Sequence, residues 1–324
     1  MKIAIIGSGV FGISNAIRLS SNKDNEIMIW SESEEAIANI ENNRYNYKPL
    51  NNALIPDSIK FSTSYQTVLE NASIVLIMTS IKYFKEVITN MLPYINDNMV
   101  FLIGSKGIDS NSNMFIHEIF ENTLNTDNYA IMAGPTFAID VASNNSIGYT
   151  IASKNKEVVN KINQIYKDTN TKIEYTNDLI TIELFSTLKN IIAISNGILK
   201  GLNTNYSTSC LYLTISLKEI INILDSFKVI NSPIISYGAI GDFILTTTSD
   251  NSRNYRFGTL IGEHNITEAN EFISNNTVEG YDSLISLYNL LNNKNISNTL
   301  VNTLYDIIIN NGDPNKLLEY IKRR

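Results

Sequence analysis

The stretch Gly7-Ser8-Gly9-Val10-Phe11-Gly12 (GSGVFG) follows a short apolar run, Lys2–Ile6, and opens a periodic segment that reads as a helix to Ser20. Strand, three glycines in GxGxxG spacing, then helix constrains the fold more than any bulk property of the chain. Gly7 allows a tight turn, Gly9 lets backbone approach a pyrophosphate, and Gly12 allows close helix–strand packing. The helix start offers N–H groups and the positive end of its dipole to phosphate oxygens. A second β-prone run, Glu26–Trp30, ends just before Glu32. A carboxylate about twenty residues past the glycines can accept hydrogen bonds from an adenosine ribose, and it repels a 2′-phosphate. No arginine stands beside it in WSESEE, so NAD is favoured over NADP.

The rest of the first half repeats the alternation. Ile74–Met78, Val100–Ile103 and Tyr129–Met132 read as further strands, and Phe11–Ser20, Ser33–Asn42, Ile81–Leu92 and Asn113–Asn122 as helices. An extended piece, Gly148–Ala152, precedes a helix near Lys156–Asp168. Several strands are apolar on consecutive residues, the pattern of a parallel sheet covered on both faces. This predicts an α/β chain whose N-terminal part is a Rossmann-type doubly wound sheet. After Tyr175 the pattern changes. Thr176-Asn177-Asp178 offers N-cap chemistry, and a long helical segment runs from Leu179 to Lys200. Thr214–Ser226, Asn265–Asn275, Tyr281–Leu291, Ser297–Asn310 and Asn315–Lys322 also read as helical. The expectation is an NAD-binding domain over 1–178 and an all-helical substrate and catalytic domain over 179–324. A chain of 324 residues comfortably holds two cores. The abundant asparagines, disfavoured inside helices, read as compositional drift.

Composition excludes several classes. With 44% hydrophobic and 18% charged residues, the chain is an ordinary soluble globular protein. A net charge of −7 argues against a sequence-blind nucleic-acid binder, which needs a basic face. One cysteine, Cys210, cannot form an internal disulfide and fits a reducing, cytoplasmic setting. The start MKIAIIGSG lacks signal-peptide form. The most apolar long stretch, Leu179 to Leu199, carries Glu183 and Lys189, against a transmembrane segment. His117 and His264 lie in no ligand spacing and read as structural or surface residues, so no metal is expected.

In such a build the active site should lie between domains, over the carboxyl ends of the strands. Lys106-Gly107 follows one strand and Gly134-Pro135-Thr136 another; each suits an anionic ligand, and each alone is equally a loop feature. Lys189 stands among Leu188, Ile191, Ile192 and Ala193, with Asn190 next to it. The pattern leaves two readings: a lysine snorkelling to solvent, or an amine turned into a closed cleft, where desolvation lowers its pKa towards an acid/base range. The stretch GAIGDFILTTTSDNSRNYRFG collects Asp242, Ser252, Arg253 and Asn254. Arg253-Asn254 presents donors for a phosphate. A solvated loop is the competing reading, credible at Asp250-Asn251 and weaker at Gly241-Asp242-Phe243.

Taken together, KGI at 106–108, AGPTFA at 133–138, LKNIIAISNGIL at 188–199, GDFILTTTSDNSRNYRFG at 241–258 and VEG at 278–280 resemble the NAD(P)-dependent sn-glycerol-3-phosphate dehydrogenase family, in order and over the full chain. The resemblance implies reversible hydride transfer between a nicotinamide and the carbinol carbon of glycerol 3-phosphate, giving dihydroxyacetone phosphate, for phospholipid synthesis. It implies that Lys189 is the catalytic lysine exchanging the C2 oxygen proton, with Lys106 and Asp242 beside it in the catalytic set. Lys106, Gly134, Thr136, Asn190, Asp242, Ser252, Arg253 and Asn254 fall on substrate positions, with Arg253-Asn254 on the phosphate. Val10, Phe11, Lys106, Ala138, Arg253 and Glu279 fall on cofactor contacts beside Gly7, Gly9, Gly12 and Glu32. A homodimer is expected. Three positions depart from the family pattern: Glu32 replaces the arginine usual in bacterial members, Thr136 replaces a serine, and Ser207–Leu211 (STSCL) replaces a lysine-containing NTKAA. Two other readings compete: a related dehydrogenase of a 2-hydroxy acid, and a catalytically silent NAD-binding module.

Overall fold

The computed structural model describes residues 1–143, 145–229 and 232–324. They divide into two compact units.

The first unit comprises Met1–Lys106, His117–Leu179 and Ser236–Gly238. Its strands are β1 (Lys2–Ile6), β2 (Glu26–Trp30), β3 (Lys60–Ser62), β4 (Ile74–Ile77), β5 (Val100–Ile103), β6 (Tyr129–Ala133), β7 (Ile147–Ala152) and β8 (Thr171–Thr176). Its helices are α1 (Val10–Leu19), α2 (Glu34–Asn42), α3 (Tyr65–Leu69), α4 (Ile81–Met91), α5 (Ile116–Leu124), α6 (Ala138–Ala142) and α7 (Lys156–Ile165). The strands form one sheet in the order β3-β2-β1-β4-β5-β6-β7-β8. Neighbours are parallel except β6 and β7, which are antiparallel. Every residue of β4, β5 and β6 is buried, which explains why these runs are apolar without alternation. The order reverses about β1 and β4, the crevice position where open α/β sheets bind ligands. Ile6 pairs with Trp30, and the Gly7 N–H donates to the Trp30 carbonyl at 3.1 Å. The glycine turn therefore leaves the sheet level with the end of β2.

Arg18 ties α1 to α6 in this unit. Its guanidinium donates to the carbonyls of Val141 (2.8 Å), Asp140 (3.1 Å), Ser143 (2.5 Å) and Asn145 (2.9 Å). Burial pushes its pKa below the ordinary arginine value, a cost these hydrogen bonds offset.

The second unit comprises Gly107–Ile116, Ile180–Ile235 and Ala239–Arg324. Its helices are α8 (Leu179–Gly201), α9 (Tyr206–Ser226), α10 (Asp242–Thr248), α11 (Arg253–Gly262), α12 (Ile266–Asn275), α13 (Glu279–Asn293), α14 (Thr299–Ile308) and α15 (Lys316–Arg323). The middle of α8, from Leu184 to Leu199, is buried on all sides, so its apolar residues surround the helix rather than forming one stripe. Four glycines let α8 and α11 touch backbone to backbone. A Cβ on Gly197 would sit 2.0 Å from the Tyr255 carbonyl oxygen, and one on Gly258 1.8 Å from that of Ile194. Gly201 and Gly262 extend the contact, with Cβ positions 2.3 and 2.2 Å from carbonyl oxygens of Thr259 and Ile198. Among the described residues no helix is long and apolar enough to cross a membrane.

Several sequence expectations are corrected. β3 and β8 were not foreseen: β3 has three residues, and β8 (TKIEYT) is a partly exposed edge strand of mixed polarity. The helix expected from Asn113 begins only at Ile116. Asn113 is left-handed, with φ +53°, and Asp109 closes the preceding turn by accepting the N–H and hydroxyl of Ser112. The helix expected from Thr214 starts at Tyr206 instead, where the Asn205 side chain accepts the Thr208 N–H. Of GDFILTTTSDNSRNYRFG, the parts within Asp242–Thr248 and Arg253–Gly262 are helical (α10 and α11), while Asp250-Asn251, where a solvated loop was the credible reading, lie in an exposed turn. The asparagines are also used. Asn51, Asn71, Asn125, Asn203 and Asn295 adopt φ of +49° to +57°, a conformation asparagine tolerates better than most side chains. Asn155, Asn205, Asn265 and Asn298 cap helices.

Candidate functional site

In the first unit the three opening glycines separate by role. Gly7 has φ +119°, and a Cβ there would lie 2.9 Å from the Met78 carbonyl oxygen. A Cβ on Gly12 would lie 2.1 Å from the Gly7 carbonyl oxygen. Gly9 differs: a Cβ there would meet nothing within 4 Å. Gly9 is also the N-cap of α1, and no side chain caps that helix. Two glycines thus permit the turn, and the third keeps open the space before an uncapped helix start. Those residues fit a pyrophosphate, whose oxygens can accept the first-turn N–H groups.

The neighbouring positions extend the cradle. The hydroxyls of Ser8 and Ser31 are 2.7 Å apart, fastening the turn to the residue before Glu32, which is exposed. Val10 is exposed and Phe11 half-buried at the start of α1. The Lys106 ammonium lies 5.8 Å from the centre of the Phe11 ring, so a cation stands beside the glycine turn. Thr136, half-buried, donates its N–H to the Gly134 carbonyl at 2.8 Å, and Ala138 opens α6. Gly134 has a packing reason of its own, since a Cβ there would sit 2.1 Å from the Gly148 carbonyl oxygen.

In the second unit the amine of Lys189 is 2.5 Å from Asp242 Oδ1, with side chains 6% and 1% exposed. The snorkelling reading of Lys189 fails on that burial. Asp242 begins α10, where a carboxylate complements the helix dipole, and Thr246, one turn on, donates to Oδ1 at 3.3 Å.

Beside this pair runs a second network. Asn190 Nδ2 donates to Glu279 Oε2 at 3.1 Å, and Asn254 Nδ2 donates to Asn190 Oδ1 at 3.0 Å. Asn254 Oδ1 accepts the Gly280 N–H at 2.9 Å. The glycine contact between α8 and α11 brings these asparagines together, and position 280 must be glycine, because a Cβ there would lie 2.6 Å from the Asn190 carbonyl oxygen. Asn254 therefore spends one amide proton and its oxygen within the protein. Ser252 is the N-cap of α11, its hydroxyl accepting the Tyr255 N–H at 3.4 Å. Arg253, the first residue of that helix, is exposed.

Each unit thus gathers its own set: Gly7, Gly9, Val10, Phe11, Gly12, Glu32, Lys106, Gly134, Thr136 and Ala138 in the first, and Lys189, Asn190, Asp242, Ser252, Arg253, Asn254 and Glu279 in the second. Sequence reasoning passed over Thr246. Its spacing of four from Asp242 is a signal only once the stretch is read as helix. Of the histidines, His117 is buried on α5 and His264 is exposed with φ +58°.

Comparison with known proteins gives a consistent answer. Residues 2–159 match the family model described as NAD-dependent glycerol-3-phosphate dehydrogenase N-terminus, and residues 178–319 match its C-terminus counterpart. The chain is 30% identical over 312 residues to glycerol-3-phosphate dehydrogenase [NAD(P)+] of Orientia tsutsugamushi, covering 96% of this chain and 94% of that protein. It is 28% identical over 324 residues to the enzyme of the same name from Ruthia magnifica, covering 100% and 98%. The crystal structure of glycerol-3-phosphate dehydrogenase from Coxiella burnetii superposes with a TM-score of 0.91 at 26% identity, covering 100% of this chain and 99% of that one.

Proposed function

The chain belongs to the NAD-dependent glycerol-3-phosphate dehydrogenase family, and on that premise we propose that it interconverts dihydroxyacetone phosphate and sn-glycerol 3-phosphate with NAD(H), Lys189 moving the proton at the C2 oxygen. A nicotinamide dinucleotide, when bound, supplies or accepts the hydride. The residues fit to hold it are the Gly7–Gly12 turn, Phe11, Lys106, Ala138, Arg253 and Glu279, with Glu32 on the ribose. In the reducing direction the ammonium of Lys189 gives a proton to the ketone oxygen of the substrate. In the oxidising direction the same nitrogen takes the hydroxyl proton back. Asp242 holds the amine in place. Arg253 offers a planar fork to the substrate phosphate, and Lys106 adds a second cation.

One observation carries this reading: the buried Lys189–Asp242 pair at 2.5 Å. Burying two charges gives a fold little net stability over apolar packing. A desolvated amine beside one carboxylate is the arrangement acid/base catalysis uses. Glu32, exposed at the end of β2 with no arginine beside it, supports NAD over NADP. The setting we propose is the cytoplasm, with glycerol 3-phosphate passing to phospholipid synthesis.

The test measures NADH and NADPH oxidation with dihydroxyacetone phosphate and with a panel of 2-keto acids. The expected result is turnover with dihydroxyacetone phosphate alone, kcat/KM higher with NADH, and a narrowed cofactor gap in Glu32→Arg. Equal efficiencies with both cofactors would remove Glu32 from the ribose. Turnover of 2-keto acids instead would support the 2-hydroxy acid reading, and binding of NADH with no turnover at all would support the silent-module reading.

A further inference from the structure

We propose that Glu174 is a positioning residue for Asp242, acting with Thr150 through the backbone of Tyr237 and Gly238; the proposal rests on the proton-transfer reading above. Glu174 on β8 and Thr150 on β7 are register partners in the sheet. The Thr150 hydroxyl donates to Glu174 Oε1 at 2.5 Å, and the same oxygen accepts the Tyr237 N–H. Thr150 Oγ1 in turn accepts the Gly238 N–H at 2.6 Å. Two consecutive backbone donors are thus received by a carboxylate and the hydroxyl it orients. Charge-assisted hydrogen bonds of this kind are roughly twice as strong as neutral ones.

The fit is built on both sides. A Cβ on Gly148 would lie 2.9 Å from the Tyr237 ring, and one on Gly238 2.9 Å from Thr150 Cβ. Among the described residues, Ser236–Gly238 is the one segment beyond Leu179 that belongs to the sheet unit. The stretches on either side of it, Ile180–Ile235 and Ala239–Arg324, belong to the helical unit. From there the backbone forms a single π-helical turn, Tyr237–Gly241, which runs directly into α10 at Asp242. Wide turns of this type recur at functional sites. A displacement of the clamped residues therefore reaches Asp242 along one continuous turn, and Asp242 sits only 2.5 Å from the amine it must hold. Misplacing a catalytic group by about 1 Å can cost on the order of a hundredfold in rate.

The adenosine-side features, the glycine turn and Glu32, lie at β1 and β2, while Glu174 lies on β8 at the opposite edge of the sheet. Loss of the clamp should therefore lower kcat and spare NADH binding. The experiment compares Glu174→Leu, Glu174→Gln and Thr150→Val for kcat, NADH dissociation constant and melting temperature, with Lys189→Met alongside. Glu174→Leu is expected to lose about ten- to a hundredfold in kcat with its NADH dissociation constant unchanged. Glu174→Gln, which keeps an acceptor at Oε1, is expected to restore most of the rate. Should Glu174→Leu fail to fold, Thr150→Val must show the same kcat-only loss. Wild-type kcat in the variant that folds, a Gln variant as slow as the Leu variant, or NADH binding that weakens in step with kcat would each overturn the proposal. If Lys189→Met keeps its turnover, the proton-transfer reading fails; if it loses turnover while Glu174→Leu does not, only the clamp fails.

Discussion

Removing one member of the Lys189–Asp242 pair should destabilise the protein far more than removing both. The two side chains are 6% and 1% exposed and 2.5 Å apart. Asp242→Leu leaves a buried ammonium with its carboxylate gone, and Lys189→Met leaves a buried carboxylate. Each single change is expected to cost about 3–5 kcal/mol, as breaking a buried ion pair generally does. For a folding unit of this size that lowers the melting temperature by roughly 6–20 °C. The double variant Lys189→Met/Asp242→Leu replaces two charges with apolar groups of similar volume. Such a swap is often neutral, with about 1 kcal/mol lost because the Thr246 hydroxyl no longer has Asp242 as acceptor. The cycle should therefore give a coupling energy of several kcal/mol, and the double variant should melt close to wild type. Turnover behaves differently. Lys189→Met and the double variant should both lose about 10²- to 10⁴-fold in kcat, the range for general acid/base groups. Calorimetry and steady-state kinetics on the same preparations separate the two effects. Additive stability losses would refute the buried-pair reasoning, and a double variant with wild-type kcat would refute the role of the amine.

Two further outcomes follow from the geometry. Gly9→Ala should leave the melting temperature unchanged, since its Cβ meets no protein atom within 4 Å and its φ of −66° and ψ of 168° suit alanine. It should raise KM for NADH about tenfold or more by filling ligand space, whereas Gly12→Ala, 2.1 Å from the Gly7 carbonyl oxygen, should lower both stability and affinity; an unchanged KM in Gly9→Ala would remove the cradle. Tyr65, stacked on Trp30 at 4.4 Å, has its phenol pushed up to about 12 by burial, with the Glu86 charge adding. A raised folded-state pKa favours the neutral form, so its stabilisation is present below about pH 10 and is lost as pH rises towards 12. Tyr65→Phe should accordingly resist alkali better than wild type over pH 10–12, and parallel melting curves across that range would contradict the assignment.

The parts of the fold legible in the sequence are those where one local signal dominates. GSGVFG after KIAII left little freedom, because Gly7 needs a positive φ and Gly12 meets backbone. The unbroken apolar runs of β4 and β5 are short and rich in β-branched residues, which favours covered strands over buried helices. What stayed hidden depended on tertiary partners. The edge strand β8 earns its place through Thr150 and Glu174, residues distant in sequence. The start of α9 at Tyr206 contradicts local propensity in Ser207-Thr208-Ser209 and is set by the Asn205 cap, since the first turn is largely exposed. The burial of Lys189 was undecidable from its neighbours, because the helix is apolar all round; the deciding contact comes from Asp242, 53 positions on. Asn254 was legible as a polar residue beside Arg253, but its engagement by Asn190 and Gly280 follows from the glycine contact of two helices, which no local pattern announces.

The most direct measurement of the central claim is single-turnover reduction of dihydroxyacetone phosphate by NADH in wild type and in Lys189→Met, with NADH binding titrated separately. Wild type should oxidise one NADH for each ketone reduced, and the variant should bind NADH equally well yet react at least about a hundredfold more slowly. A variant that reduces dihydroxyacetone phosphate at the wild-type rate would contradict the account.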